Sequence, residues 1–281
     1  MLRAPRQLLR LAPSLILYQQ KEGMVATGPR QVADSSRCGA VLPEAAARSG
    51  AEHSAMAWHA VYDEVACSSS LCGDDVFEAL EVKGAPGKLY ALQGDVGKEE
   101  SILAAFKWIR ENLKGVDILI NSAGADYDTD FISGKTEHWR QMFEVNELGL
   151  AICSREAVQD MMRRGVDDGF IIHISSISAH EPTLSDGLGM HSANKSAVRV
   201  MAEGLRKDLV ARKSNIRVGQ ISPGVVLTNA MNQSERWAQT FKSMPYLEAE
   251  DIAKAVVYML SQHPRVQVHD IIIRPTGEFY G

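Results

Sequence analysis

The sequence predicts an α/β fold, a parallel sheet with helices on both faces. Three observations predict it. From about Asp75 onward short β-branched runs alternate with longer segments, the rhythm of successive strand–helix units. The short runs are apolar almost throughout, as strands buried on both faces must be. The longer segments repeat apolar residues at intervals of three and four, the period of a helix with one buried face.

In chain order the expected strands are KLYALQGDV, VDILINSAG, GFIIHISSIS, NIRVGQISPGVV and VQVHDIIIRP. Between them lie KEESILAAFKWIRENL, TEHWRQMFEVNELGLAICSREAVQDMMRR, MHSANKSAVRVMAEGLRKDLVARK and EAEDIAKAVVYMLSQ, each expected as a helix. Residues 1–74 lack this rhythm. Ala, Ser, Gly and Arg are scattered through DSSRCGAVLPEAAARSGAEHSA, and only AWHAVYDEVAC offers a further strand. The expected organisation is a poorly specified segment over 1–74, loosely packed over 1–50, followed by the α/β domain over 75–281.

The 281 residues are 45% apolar and 23% charged, ordinary for a soluble globular chain. A formal net charge of −5 and the absence of any sustained Lys/Arg run exclude nucleic acid as the main partner and favour a small molecule. No apolar run approaches the ~18 residues needed to span a bilayer, so no transmembrane segment is expected. Cys38, Cys67, Cys72 and Cys153 are too few and too irregular for a disulfide framework, which points to free thiols in the reducing cytoplasm. Arg3, Arg6 and Arg10 with no acid before Glu22 give the alternative, a mitochondrial transit segment. His53, His59, Cys67 and Cys72 fit no common metal spacing, and no metal is expected.

Parallel sheets bind ligands at the carboxyl ends of their strands. Asp95, Asn121 with Gly124, the Ser175, Ser176 and Ser178 cluster, and Pro223, Gly224 and Thr228 close successive apolar runs. Turns collect such residues for backbone reasons alone; the recurrence at successive strand ends is the signal. In the second helical segment Trp139, Met142, Phe143, Leu150 and Cys153 form one stripe with Asn146 in its middle. A buried amide without partners costs on the order of 1–3 kcal/mol, so Asn146 needs either a backbone contact or a water held for chemistry. His191 and Lys195 share a face at the start of the helix whose buried stripe is expected at Ala197, Met201, Leu205 and Leu209. They can act on one ligand, or form an ordinary first turn with a solvated lysine.

Taken together, NSAG, Asn146, ISSIS, the small-residue helix start ending in Lys195, and SPGVVLT resemble the short-chain dehydrogenase/reductase family over about Asp75 to Thr276. DDGFIIHISSIS, GLRKDL, ISPGVV and DIIIRPT resemble its member-11-like branch, with animal 17β-hydroxysteroid-type reductases and insect farnesol dehydrogenases. The resemblance implies a Rossmann-like sheet and a nicotinamide cofactor, NADP with NAD as the alternative. It puts Asp95 and Val96 by the adenine, and Asn121, Ala123 and Gly124 along the cofactor. Pro223, Gly224, Val226 and Thr228 would lie by the nicotinamide, and Lys195 on its ribose. Ser176 takes the catalytic serine place, Asn146 that of the asparagine anchoring a water relay, and His191 that of the proton-transferring tyrosine. When hydride reaches a carbonyl carbon, the oxygen gains charge and must be held and protonated.

Two departures follow. The family's glycine-rich turn after the first strand is missing, with only Thr27 and Gly28 kept in VATGPRQVADS, so the first βαβ unit is atypical or missing. In the family's strand order that strand lies inside the sheet, which has a gap unless residues 1–74 fill it. Secondly, histidine replaces tyrosine at 191, and no tyrosine occurs between Tyr127 and Tyr246 to stand in. A nearby ammonium favours neutral imidazole, a poor acid, so His191 is a handicapped proton donor. The expected function is an oxidoreductase interconverting an alcohol and a carbonyl on a small apolar substrate (steroid, isoprenoid or retinoid-like) with impaired activity. The alternative is a catalytically inactive binding or scaffold protein. AMNQSERWAQTFKSMPYL takes the substrate-lid place. Second apolar positions at Ala151, Val158, Val200 and Met201 predict a homodimer or homotetramer.

Overall fold

A computed structural model of the chain describes residues 94–181, 187–227 and 244–278. It also describes the backbone of three earlier strands, β1 (Ser14–Leu17), β2 (Glu64–Ser68) and β3 (Leu89–Gln93), and the side chain of Leu92. Four strands follow, β4 (Ile118–Asn121), β5 (Phe170–Ile174), β6 (Arg217–Pro223) and β7 (Asp270–Ile273). All pair in parallel, in the order β3-β2-β1-β4-β5-β6-β7.

The five strands expected from Asp75 onward are all present. The gap at the centre of the sheet is filled from within residues 1–74: Ser14–Leu17 pairs with Glu64–Ser68 on one side and with β4 on the other. The second half of AWHAVYDEVAC forms β2, which runs one residue beyond it to Ser68. β1 ends at Leu17, well before Thr27 and Gly28, which lie outside the described residues. So do His53, His59 and Cys72, and the side chain of Cys67.

The helices are α1 (Glu99–Leu113), α2 (Thr136–Phe143), α3 (Leu150–Arg164), α4 (Gly189–Ala211) and α5 (Ala249–Ser261). Two buried cores lie against the sheet. One gathers Phe106, Leu119, Met142, Val145, Cys153, Met161 and Ile171; the other gathers Ile118, Ile172, Ile221, Val256 and Met259. Side chains that alternate along β4 and β5 divide between the two, as expected for strands covered on both faces. No described helix is long and apolar enough to cross a membrane.

Two helical stripes differ from expectation. The single helix expected over TEHWRQ to MMRR is divided by a π-helical turn, Glu144–Gly149. Its wider turn shifts the phase, so Met142, Leu150 and Cys153 are buried while Phe143 is 52% exposed. In α4 the buried positions are Val198, Ala202 and Leu209, with Ala197, Met201 and Leu205 only half-buried, because polar Ser192 and Asn194 also face inward from the first turn.

Candidate active site

The order of the sheet reverses direction between β1 and β4, and the crevice outside the carboxyl ends of such strands is where open α/β sheets hold ligands. β4 ends at Asn121, β5 at Ile174 just before Ser175 and Ser176, and β6 at Pro223, so four of the expected positions share this edge.

Asn121 is buried, and its Nδ2 donates to Ser154 Oγ at 3.1 Å and lies 3.0 Å from His173 Nδ1. These contacts tie β4 to α3 and β5, a structural use of the amide. Beyond it Ala123 packs against the core, and Gly124 lies on the surface with only Asn146 Oδ1, at 3.7 Å, near where a Cβ would stand. The π turn carries Asn146 to the next residue. Ala125 N donates to Asn146 Oδ1 and Asn146 Nδ2 donates to Ala125 O, both at 2.8 Å, while Nδ2 also reaches Asn194 Oδ1 at 3.3 Å. Of the two uses open to this buried amide, the backbone contact is present.

Asp126 follows Ala125 and was not singled out in the sequence. Its Oδ2 lies 2.7 Å from His191 Nδ1, with the side chains 24% and 19% exposed, and its Oδ1 accepts Tyr127 N at 2.9 Å. The signal available was position, the first acid beyond a strand end, but DYDTD offers three acids and spacing does not choose among them. Tyr127 turns its hydroxyl to Gln141, stacks on His138, and has its phenol pKa raised by burial.

His191 and Lys195 sit in the first turns of α4. Lys195 Nζ donates to Ile174 O at 3.2 Å, and Ser175 Oγ donates to Lys195 O at 3.4 Å, which docks this helix start onto the end of β5. Burial lowers the ammonium's pKa, and the charge of Asp126 opposes that. Of the two readings of this helix start, the hydrogen bond to Ile174 O favours the docked lysine over the solvated one. Ser176 caps a 3₁₀ turn, Ile177–Ala179, accepting Ser178 N at 3.1 Å; no acceptor for its own hydroxyl hydrogen occurs among the described residues. Asn194, fully buried, links Asn146 to Glu147 by donating to its Oε1 at 2.7 Å.

The other expected positions are dispersed along the same edge. Asp95 shapes the turn after β3, accepting Gly97 N at 2.9 Å and pairing with Lys98 at 3.4 Å. Val96 is buried under the π turn. A Cβ on Gly224 would stand 2.5 Å from the carboxylate of Glu278, whose Oε1 accepts Val225 N at 2.8 Å and whose Oε2 accepts Arg274 Nε at 2.8 Å. Val226 pairs with Leu247. Thr228 and most of the lid segment lie outside the described residues.

A dinucleotide fits this donor set. The ammonium of Lys195 makes one hydrogen bond among the described residues, leaving donors for a hydroxyl-bearing ligand, and Gly124 leaves open space beside the strand ends.

The family model for short chain dehydrogenase matches residues 67–239. The chain belongs to the short-chain dehydrogenase family. It is 42% identical over 223 residues to dehydrogenase/reductase SDR family member 11 of Gallus gallus, covering 76% of this chain and 86% of that protein. It is 39% identical over 205 residues to farnesol dehydrogenase of Aedes aegypti, covering 72% and 82%. Among solved structures, L-sorbose reductase from Gluconobacter frateurii, complexed with NADPH and L-sorbose, superposes with a TM-score of 0.71 at 19% identity, covering 97% of this chain and 99% of that one. A short-chain dehydrogenase is an oxidoreductase of alcohol–carbonyl pairs that works with a nicotinamide dinucleotide.

Proposed function

We propose that the protein uses NADP to interconvert an alcohol and a carbonyl on a small apolar substrate, with His191 transferring the proton. The observation that carries the reading is the docking of the α4 start, with its His191 and Lys195, onto the end of β5, where Lys195 bonds Ile174 O and Ser175, the residue before Ser176. When bound, the nicotinamide supplies or accepts the hydride. Lys195 would bind its ribose; Asp95 and Val96 would flank the adenine; Asn121, Ala123 and Gly124 would border the cofactor, and Pro223, Gly224, Val226 and Thr228 its nicotinamide. Ser176 has a hydroxyl hydrogen to give to a substrate oxygen as charge develops there, and His191 protonates that oxygen. Asn146 holds Ala125, and so the wall of the site, in place.

NADP rather than NAD is supported by structural neighbours solved with NADP+ and NADPH, and an apolar substrate by the farnesol dehydrogenase relative. The cytoplasm is the compartment this reading favours, with mitochondria the alternative if the Arg3, Arg6 and Arg10 stretch directs import. A thermal melt with cofactor tests the proposal, because a ligand that binds only the native state raises stability by about 2.7 kcal/mol at a hundred times its Kd. NADPH is expected to raise Tm more than NADH, and Lys195→Ala to abolish the rise. No rise with either cofactor favours the inactive scaffold.

A further inference from the structure

Assigning the proton to His191 leaves unexplained what holds its ring, and the inference below rests on that assignment. We propose that Asp126 is a positioning residue for His191: its carboxylate accepts the Nδ1 proton, fixes the tautomer and orientation of the ring, and leaves Nε2 to exchange a proton with the substrate oxygen.

Four observations support it. The Nδ1–Oδ2 separation is 2.7 Å, hydrogen-bond length for a charge-assisted pair. The carboxylate is itself held, since Oδ1 accepts Tyr127 N at 2.9 Å. The backbone that carries it is clasped one residue earlier, where Asn146 bonds both N and O of Ala125. Finally, the same carboxylate lies close enough to Lys195 for its charge to act on the ammonium. A lone ammonium repels an imidazolium, and a carboxylate shared by both cations offsets that repulsion.

In the reducing direction a bound reduced nicotinamide would supply the hydride for the new C–H bond at the carbonyl carbon. The Nε2–H bond of the His191 imidazolium breaks and an O–H bond forms on the substrate oxygen. The ring becomes neutral, its Nδ1–H stays on Asp126, and water returns a proton to Nε2. Hydride and proton together convert the carbonyl to the alcohol.

The test uses the full chain labelled with ¹⁵N-histidine and read by long-range ¹H–¹⁵N correlation at a pH where His191 is neutral. The His191 resonances are assigned by their loss in His191→Gln. The wild type is expected to show the Nδ1–H tautomer. Asp126→Ala is expected to shift the ring toward Nε2–H, the form free imidazole side chains prefer, and Asp126→Glu to restore Nδ1–H at least in part. In parallel, NADPH-dependent reduction of an apolar aldehyde is expected to fall about a hundredfold in kcat with Asp126→Ala, and to fall no further when Asp126→Ala is added to His191→Ala. An unchanged tautomer in Asp126→Ala overturns the inference whatever the activity. A changed tautomer with turnover that survives both Asp126→Ala and His191→Ala overturns the assignment of His191 as proton donor, and the two failures are thereby distinct.

Discussion

Two histidines on this chain carry the same ring into opposite surroundings. His173 lies on β5, 1% exposed, beside the amide of Asn121, and burial lowers its pKa to about 4. His191 sits half-buried against the Asp126 carboxylate. The first should stay neutral and cost stability in acid. In the unfolded chain a histidine takes its proton near pH 6.5, so between pH ~6.5 and ~4 the unfolded state binds more protons than the native state, and stability falls as pH falls. The loss amounts to about 3 kcal/mol across that window. Urea unfolding of wild type and His173→Gln at pH 7 and pH 4.5 is expected to show a smaller pH dependence in the variant; equal dependence in both would assign the acid sensitivity to other groups. At this scale Asn146 stood out as an amide inside an apolar stripe and His191 with Lys195 as a pair on one helix face, whereas Ser176 was separated from its neighbouring serines only by the family resemblance. The sequence did not point to Asp126, whose partner stands in another element and whose neighbours Asp128 and Asp130 have the same local pattern.

At the scale of elements, the π turn is what brings Asn146 to Ala125, and it depends on a close approach. Gly149 ends the turn against the loop after β3, and a Cβ there would stand 2.3 Å from Val96 O. Because the obstacle is backbone, it cannot rotate away. Gly149→Ala is expected to destabilise the fold by about 1–3 kcal/mol and to loosen the loop carrying Asp126, a change measurable as a lowered Tm together with faster amide exchange at Ala125. An unaltered Tm would show that the turn shifts freely. The π turn was not legible in the sequence, since its residues fit an uninterrupted α-helix. β1 was not legible either. SLIL is four residues long with no alternation and no turn signal of its own, and its place is fixed by pairing on both sides rather than by local propensity. The later strands were legible because all five are apolar runs and four of them are closed by Asp, Asn, Ser or Gly at the carboxyl end, the exception being the last, which runs into Arg274 and Pro275.

At the scale of the whole molecule, α3 and α4 leave between them a groove of about 530 Å³, lined by Ala151, Val158, Met162, Met201 and Leu205 together with charged Arg155, Asp208 and Arg212. Met162 and Val200 are exposed at 40% and 66%. Apolar surface of this kind on neighbouring helices suits an isologous contact, and a homodimer or homotetramer is expected by analytical ultracentrifugation at micromolar concentration, converting to a smaller species with Val200→Glu. A wild type that sediments as a monomer would contradict it.

The central claim is that a histidine on the family's scaffold moves the proton. The most direct measurement is NADPH oxidation with an apolar carbonyl substrate, run beside NADPH binding, in wild type, His191→Ala, His191→Tyr, and the His191→Tyr, Lys195→Ala pair. Slow wild-type reduction is expected, with a loss of about 10² to 10⁴ in His191→Ala, a gain over wild type in His191→Tyr, and loss of that gain when Lys195 is also replaced. Rapid wild-type reduction at neutral pH that persists in His191→Ala, with cofactor binding intact, would contradict it.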